Sequence, residues 1–145
     1  MAVKDFFTQA QQQEISHSIE RAELNTSGEI RVHLEDKCNT ESLKRAVEVF
    51  EKLAMHQTEQ RNGVLFYLAV KDKKFAVIGD QGINDLVEEN FWDDVKTEML
   101  NHFKLSKFSE GLCKGIEMAG EKLKIHFPYQ ADDVNELSND ISFGE

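Results

Sequence analysis

Long apolar runs, paired cysteines, proline and positive charge are all scarce in this chain. No stretch approaches the roughly 18 consecutive apolar residues that a membrane span requires. The opening Met1-Ala2-Val3-Lys4-Asp5-Phe6-Phe7-Thr8 has no apolar core of the kind a secretory signal carries. Membrane insertion is therefore not expected, and the chain reads as cytoplasmic. Cys38 and Cys113 lie far apart and outside any Cys-x-x-Cys pattern, which argues against a zinc site or a disulfide framework; both read as reduced, structural thiols. Seventeen basic residues against twenty-seven acidic ones leave a formal net charge of −10. That balance repels nucleic acid and anionic membranes and favours cations or basic partners. Part of it comes from Asp132, Asp133, Glu136, Asp140 and Glu145, so residues 129–145 read as an acidic, flexible tail after a single domain over 1–128.

What is present suffices for one core. A 145-residue chain that is 40% hydrophobic, with ten Phe and one Trp, can bury roughly 70% of its unfolded surface without a staple. Thr8 and Gln11 form a capping-box pattern ahead of Ile15, Ile19 and Ala22, which predicts a helix to about Leu24. Glu29 to Glu35 alternates strictly, with Ile30, Val32 and Leu34 on one face, the pattern of a half-buried strand near an edge. Leu43, Val47, Phe50 and Ala54 fall at helical spacing. The uninterrupted run Val64 to Val70 predicts a central strand covered on both faces, and Lys71-Asp72-Lys73-Lys74 turns it back into Phe75-Ala76-Val77-Ile78. Asn90 can cap a helix carrying Phe91, Trp92, Val95, Met99 and Phe103. A last helix from about Ser109 presents Leu112, Ile116, Ala119 and Leu123, and Pro128, the only proline, follows its end.

This order gives an α/β fold in which the second helix crosses between two parallel strands and the third strand runs antiparallel to the second. The turns Gly28-Glu29, Asn62-Gly63 and Gly79-Asp80 should then meet on one rim. There the loop Gly79-Asp80-Gln81-Gly82-Ile83-Asn84-Asp85 concentrates oxygen donors, with Glu88, Glu89, Asp93 and Asp94 close behind. Calcium takes about six to eight such oxygens, and magnesium takes fewer while keeping more water. The spacing is not that of an EF-hand. An equally simple reading makes Asp80 and Asp85 turn residues and lets Asp93 and Asp94 complement a helix dipole.

The chain resembles the TPM domain family, whose members include a thylakoid-lumen protein with acid phosphatase activity. The resemblance covers roughly residues 5–128. It rests on Ser27-Gly28-Glu29-Ile30-Arg31-Val32, Asn62-Gly63-Val64-Leu65, Ile78-Gly79-Asp80-Gln81-Gly82-Ile83, Phe91-Trp92 and the segment Phe108 to Gly111. It implies a three-layer α/β/α sandwich around a small, about four-stranded mixed sheet flanked by helices. Three strands are evident above, and Ile83–Val87 is the candidate for the fourth. The chain looks like a short bacterial form of the domain alone.

The resemblance also implies calcium or magnesium at the loops. Asp80 and Asp85 rank first as ligands, Glu29, Asp93 and Asp94 next, and Asn84 and Glu88 as carbonyl or water-mediated donors. The function expected is that of a divalent-metal-binding, metal-responsive module with a protein partner. The alternatives are a metal-dependent acid phosphatase, for which only Arg61 offers a cationic clamp, and a structural domain without metal. None of the five histidines stands in an evident pairing with a carboxylate or serine, so they read as surface or structural groups.

Overall fold

A computed structural model describes residues 3–129 and 137–144. The elements run α1 (Gln9–Glu23), β1 (Glu29–Glu35), α2 (Ser42–Lys52), β2 (Gly63–Ala69), β3 (Lys74–Gly79), α3 (Gln81–Asn84), α4 (Asp93–Lys104), α5 (Phe108–Leu123) and β4 (Ser142–Phe143). Thr8 closes the expected capping box on α1: its side chain accepts from Gln11 N, and the Gln11 side chain accepts from Thr8 N. Two orphan donors of the first turn are thereby satisfied.

The sheet is mixed and four-stranded, in the order β3-β2-β1-β4. β1 and β2 are parallel, joined across α2, and β3 returns antiparallel to β2. Every residue of β2 is buried, as a central strand with helices on both faces requires. Even-numbered residues of β1 and β2, together with Val77, pack under α1, α4 and α5 with Ile15, Ile19, Met99, Leu112 and Ile116. The opposite face, with Leu65, Tyr67, Ala69 and Ala76, packs under α2 and Met55. The molecule is therefore three layers, α/β/α, with the second helical layer only one helix thick.

The fourth strand is not at Ile83–Val87. Asp80 accepts a hydrogen bond from Gln81 N and starts α3 instead, which buries Ile83. The fourth strand comes from the C-terminal segment, where Ser142 and Phe143 pair in parallel with His33 and Leu34. β1 differs from expectation as well. Its alternation predicts a polar face turned to solvent, yet Glu29, His33 and Glu35 are only 4–5% exposed. A carboxylate buried that far needs partners, and Glu35 has four donors: Arg45 Nε and Nη2 at 2.9 and 3.0 Å, Tyr67 Oη, and His33 Nε2 at 3.1 Å. The other ring nitrogen of His33 lies 2.9 Å from Ser142 Oγ. The pairing of His33 with a carboxylate and a serine corrects the sequence reading. It fastens β4 to the sheet; Glu35 lies two residues along the same strand face, whereas Ser142 lies 109 residues away and no local pattern reports it.

α2 departs from its pattern in a way that matters for the surface. Ala46, Val49 and Phe50 face the sheet, whereas Leu43 and Val47 are 57% and 45% exposed. Among the described residues no helix is long and apolar enough to cross a membrane.

Candidate functional site

The three turns do meet. Glu29 stands opposite Gly63, and Val64 opposite Gly79. Glu29 N donates to Asn62 O at 3.3 Å and Asp80 N to Gly63 O at 2.9 Å, so the starts of β1 and β2 and the end of β3 form one rim. Because side chains alternate along each strand, Glu29 and Asp80 lie on the same face, the one covered by α2, on either side of Gly63. Met55 and Leu137 occupy the space over that glycine.

Asp80 is the centre of this rim. Its carboxylate accepts from Arg61 Nε at 2.8 Å and Nη2 at 3.0 Å in a bidentate fork, and from Gln81 N at 2.7 Å. The same pairing raises the pKa of Arg61, mainly through the hydrogen bond to Asp80. The backbone closes the arrangement. Arg61 O accepts from Gly82 N at 2.9 Å, and a Cβ on Gly82 would lie 2.5 Å from Arg61 O and closer still to Gln60 O. Only glycine fits there. In the same loop, buried Thr58 Oγ1 and Asn62 Nδ2 have no hydrogen-bond partner, although buried polar groups are nearly always satisfied.

Beside the rim lies a cavity of about 660 Å³ between α2 and the end of β3. Leu43, Val47, Phe50 and Ile78 make its apolar side, and His56, Arg61 and Asp80 its polar end.

The other ligand candidates divide around this centre. Asn84 is one turn on and gives its amide to Gly79 O at 3.1 Å. Asp85 caps the C-terminus of α3 and is exposed. Glu29 accepts from Leu137 N at 3.0 Å. Glu88, Asp93 and Asp94 surround a separate depression with Lys122 and His126, and Lys122 Nζ lies 3.0 Å from Asp94. Among the described residues no three carboxylate, histidine or cysteine side chains converge on a point where they could hold one ion.

Glu23 is an acidic group the sequence reading missed. Its Oε2 accepts from Ile30 N at 2.9 Å, which ties the end of α1 to the start of β1. Burial, only partly offset by that hydrogen bond and reinforced by Glu29 and Glu20, pushes its carboxyl up to about 8. A raised carboxyl pKa adds stability that is complete below the unfolded value near 4.5 and is lost as pH rises through 8. Glu23→Gln should therefore flatten the fall in unfolding free energy between pH 5 and pH 8, which in the wild type is at most about 1.4 kcal/mol per pH unit. Urea unfolding of both proteins at the two pH values checks this; parallel losses in wild type and variant would show that Glu23 is not the titrating group.

Comparison with known proteins agrees with this architecture. The TPM domain family model matches residues 2–122. The solution structure of the BA42 protein from the psychrophilic bacterium Bizionia argentinensis is 46% identical, with 97% of each chain covered and a TM-score of 0.92. The N-terminal domain of a protein from P. gingivalis shares 16% identity over 85% of this chain and 80% of its own, with a TM-score of 0.67. The N-terminal domain of cg2496 from Corynebacterium glutamicum shares 8% over 97% and 81%, with a TM-score of 0.63; these last two are likenesses of fold alone. No curated protein matches the chain.

Proposed function

We propose that this chain, which belongs to the TPM domain family, binds a divalent cation at the rim around Asp80 and responds to it by changing the surface beside α2. The observation that carries this reading is an incomplete polar site. A buried carboxylate stands at the meeting point of three turns, and in the adjoining loop the hydroxyl oxygen of buried Thr58 has no hydrogen-bond partner. A hard cation that keeps much of its water needs only one or two protein carboxylates. Asp80, with the side-chain oxygens of Thr58, Asn62 and Asn84 and the carbonyls of Gln60 and Arg61 within the same turns, suits magnesium or loosely held calcium. Asp85 and Glu29 would act on such an ion through water. Glu88, Asp93 and Asp94 belong to a different depression and would not share it. The bound ion would supply positive charge, and the residues of this chain would order the Asp80 turn around it.

The surface so altered is the apolar groove next to the site, and a protein partner belongs to the same proposal. Unpaired Cys38 and Cys113 suit a reducing, cytoplasmic setting. Phosphomonoester hydrolysis asks for a cationic clamp free to take up developing charge. Arg61, the cation at this rim, is held by Asp80, so binding is the reading advanced.

Thermal unfolding tests it. A ligand of the folded state at a hundred times its Kd adds about 2.7 kcal/mol, or roughly 5–10 °C in Tm for a domain of this size. Calcium or magnesium should raise the Tm of the wild type by this order, and Asp80→Asn should abolish the rise. A Tm indifferent to millimolar metal would remove the proposal.

A further inference from the structure

The two neighbours of β1 hold it unequally. β2 pairs with it from Glu29 to Glu35, whereas β4 pairs only with His33 and Leu34, a strand shorter than strands usually are. β4 also lies beyond residues 2–122, the span that matches the family, so within that span β1 is an edge strand. An edge offers a row of backbone groups to any extended chain. Glu29 N and Glu35 O bond toward β2, which turns the N–H and C=O groups of the even-numbered residues outward. Of these, Ile30 N is taken by Glu23 at 2.9 Å and Leu34 O by Gly144 N at 2.7 Å.

This edge also reads what lies against it, because each odd-numbered residue of β1 meets a different position of the segment 137–144. Glu29 accepts from Leu137 N at 3.0 Å. Asp140 offsets part of what burial costs the charge of Arg31. His33 Nδ1 lies 2.9 Å from Ser142 Oγ. Glu35 leaves room for glycine alone, since a Cβ on Gly144 would lie 2.6 Å from its Oε1 and 2.7 Å from its Cβ. On the other face Ile141 and Phe143 pack against the main core. Covering an edge needs only bulk or charge, whereas reading alternate side chains in one register is how a sheet edge selects an added peptide. The hold is shallow all the same: residues 141–144 are half-buried, while every residue of β2 is buried.

We propose that the outer edge of β1 is a peptide-binding site, that residues 137–144 are its ligand in cis, and that its partner in trans is an extended segment of another protein built on the same pattern. That pattern places a carboxylate opposite Arg31, a hydroxyl opposite His33 and glycine opposite Glu35, with apolar residues between them. The partner strand adds in parallel to β1 when the chain's own segment lets go, so the sheet stays four-stranded throughout. Competition from the segment in cis excludes looser matches. Nothing in this depends on an ion at the Asp80 rim.

The test adds an amidated peptide with the sequence of residues 137–144 to the full-length wild type and to full-length Gly144→Val, with Kd from calorimetry and the amide signals of residues 30–35 as a second readout. The valine should dislodge the protein's own segment and open the edge. The variant should then bind the peptide about tenfold or more tightly than the wild type, whose apparent affinity is reduced to its open fraction. The same peptide carrying Gly144→Val should bind neither protein. Equal binding by the two proteins, equal binding of the two peptides, or no binding to the variant would overturn the proposal. A wild type that dimerises with concentration in sedimentation, and loses the dimer on Gly144→Val, would make a second copy the occupant and overturn the partner assigned above. Should the variant fail to fold, hydrogen exchange in the wild type decides. The Gly144 amide should exchange by local opening well before that of Phe66, which is fully buried in β2, and equal protection of the two would mean a fixed strand and no exchangeable site.

Discussion

Gly82→Ala is expected to destabilise the protein by about 3 kcal/mol, at the upper end of the usual cost of overpacking, and to abolish the metal response with it. The added methyl would meet the backbone carbonyl oxygens of Gln60 and Arg61, at 2.5 Å from the latter. Neither can rotate away as a flexible side chain would. Arg61 O is also the acceptor for Gly82 N, so relieving the clash means opening the hydrogen bond that joins the β2 turn to α3. The φ of Gly82 lies outside the left-handed region, and the effect is one of space alone. Urea denaturation with an unchanged m-value and a lowered midpoint is the expected signature. A midpoint within about 0.5 kcal/mol of wild type, the range of an ordinary surface change, would mean that the two turns are not locked together.

Glu35→Ala should cost more, about 3–5 kcal/mol, the range for breaking one side of a buried ionic network. The carboxylate accepts from Arg45, Tyr67 and His33 together, and truncation strands the buried Tyr67 hydroxyl and His33 ring while Arg45, 29% exposed, loses its ion pair. Burial alone would push the Glu35 carboxyl up. The hydrogen bonds from Arg45, Tyr67 and His33 outweigh it and hold the group down at about 2. A depressed carboxyl pKa contributes stability that is present above the unfolded value near 4.5 and lost as pH falls toward 2. Wild type should therefore lose stability over that interval, and Glu35→Ala should lose less of it. Because His33 Nδ1 is bonded to Ser142 and Gly144 N donates to Leu34 O at 2.7 Å, the variant should also release β4. Hydrogen exchange at Gly144 would report this, and continued protection there would contradict the fastening role.

These two positions mark the limit of what the chain discloses before it folds. Local patterns sufficed for α1, where Thr8 and Gln11 cap each other, and for β2, where a short unbroken apolar run opened by Asn62-Gly63 reads as a doubly covered strand. Parallel pairing of β1 and β2 followed from the length of the crossover, and with it the meeting of Gly28, Gly63 and Gly79. The fourth strand was not legible. Ser142-Phe143 is two residues long, and what fixes it is His33, on the far side of the sequence. Ile83, read as part of a strand, is helical because Asp80 caps the turn before it.

The candidate site was legible in its centre and not in its membership. Counting carboxylates along the chain gathered Asp80, Asp85, Glu88, Asp93 and Asp94 as neighbours. In space α3 turns Asp85 outward, and Glu88 in the connection after it joins Asp93 and Asp94 at the start of α4 around a depression of their own. Arg61 stood out only as an isolated positive residue before Asn62-Gly63. Its bidentate hold on Asp80 depends on two turns that lie 19 residues apart, and no periodicity reports such a pair.

Cation binding at the Asp80 rim is the central claim, and backbone amide signals recorded while calcium or magnesium is added to the metal-free wild-type protein test it most directly. The account predicts saturable shifts concentrated in residues 58–63 and 79–85, with residues 88–94 little changed. Shifts confined to Glu88, Asp93 and Asp94, or none at millimolar metal, would contradict it.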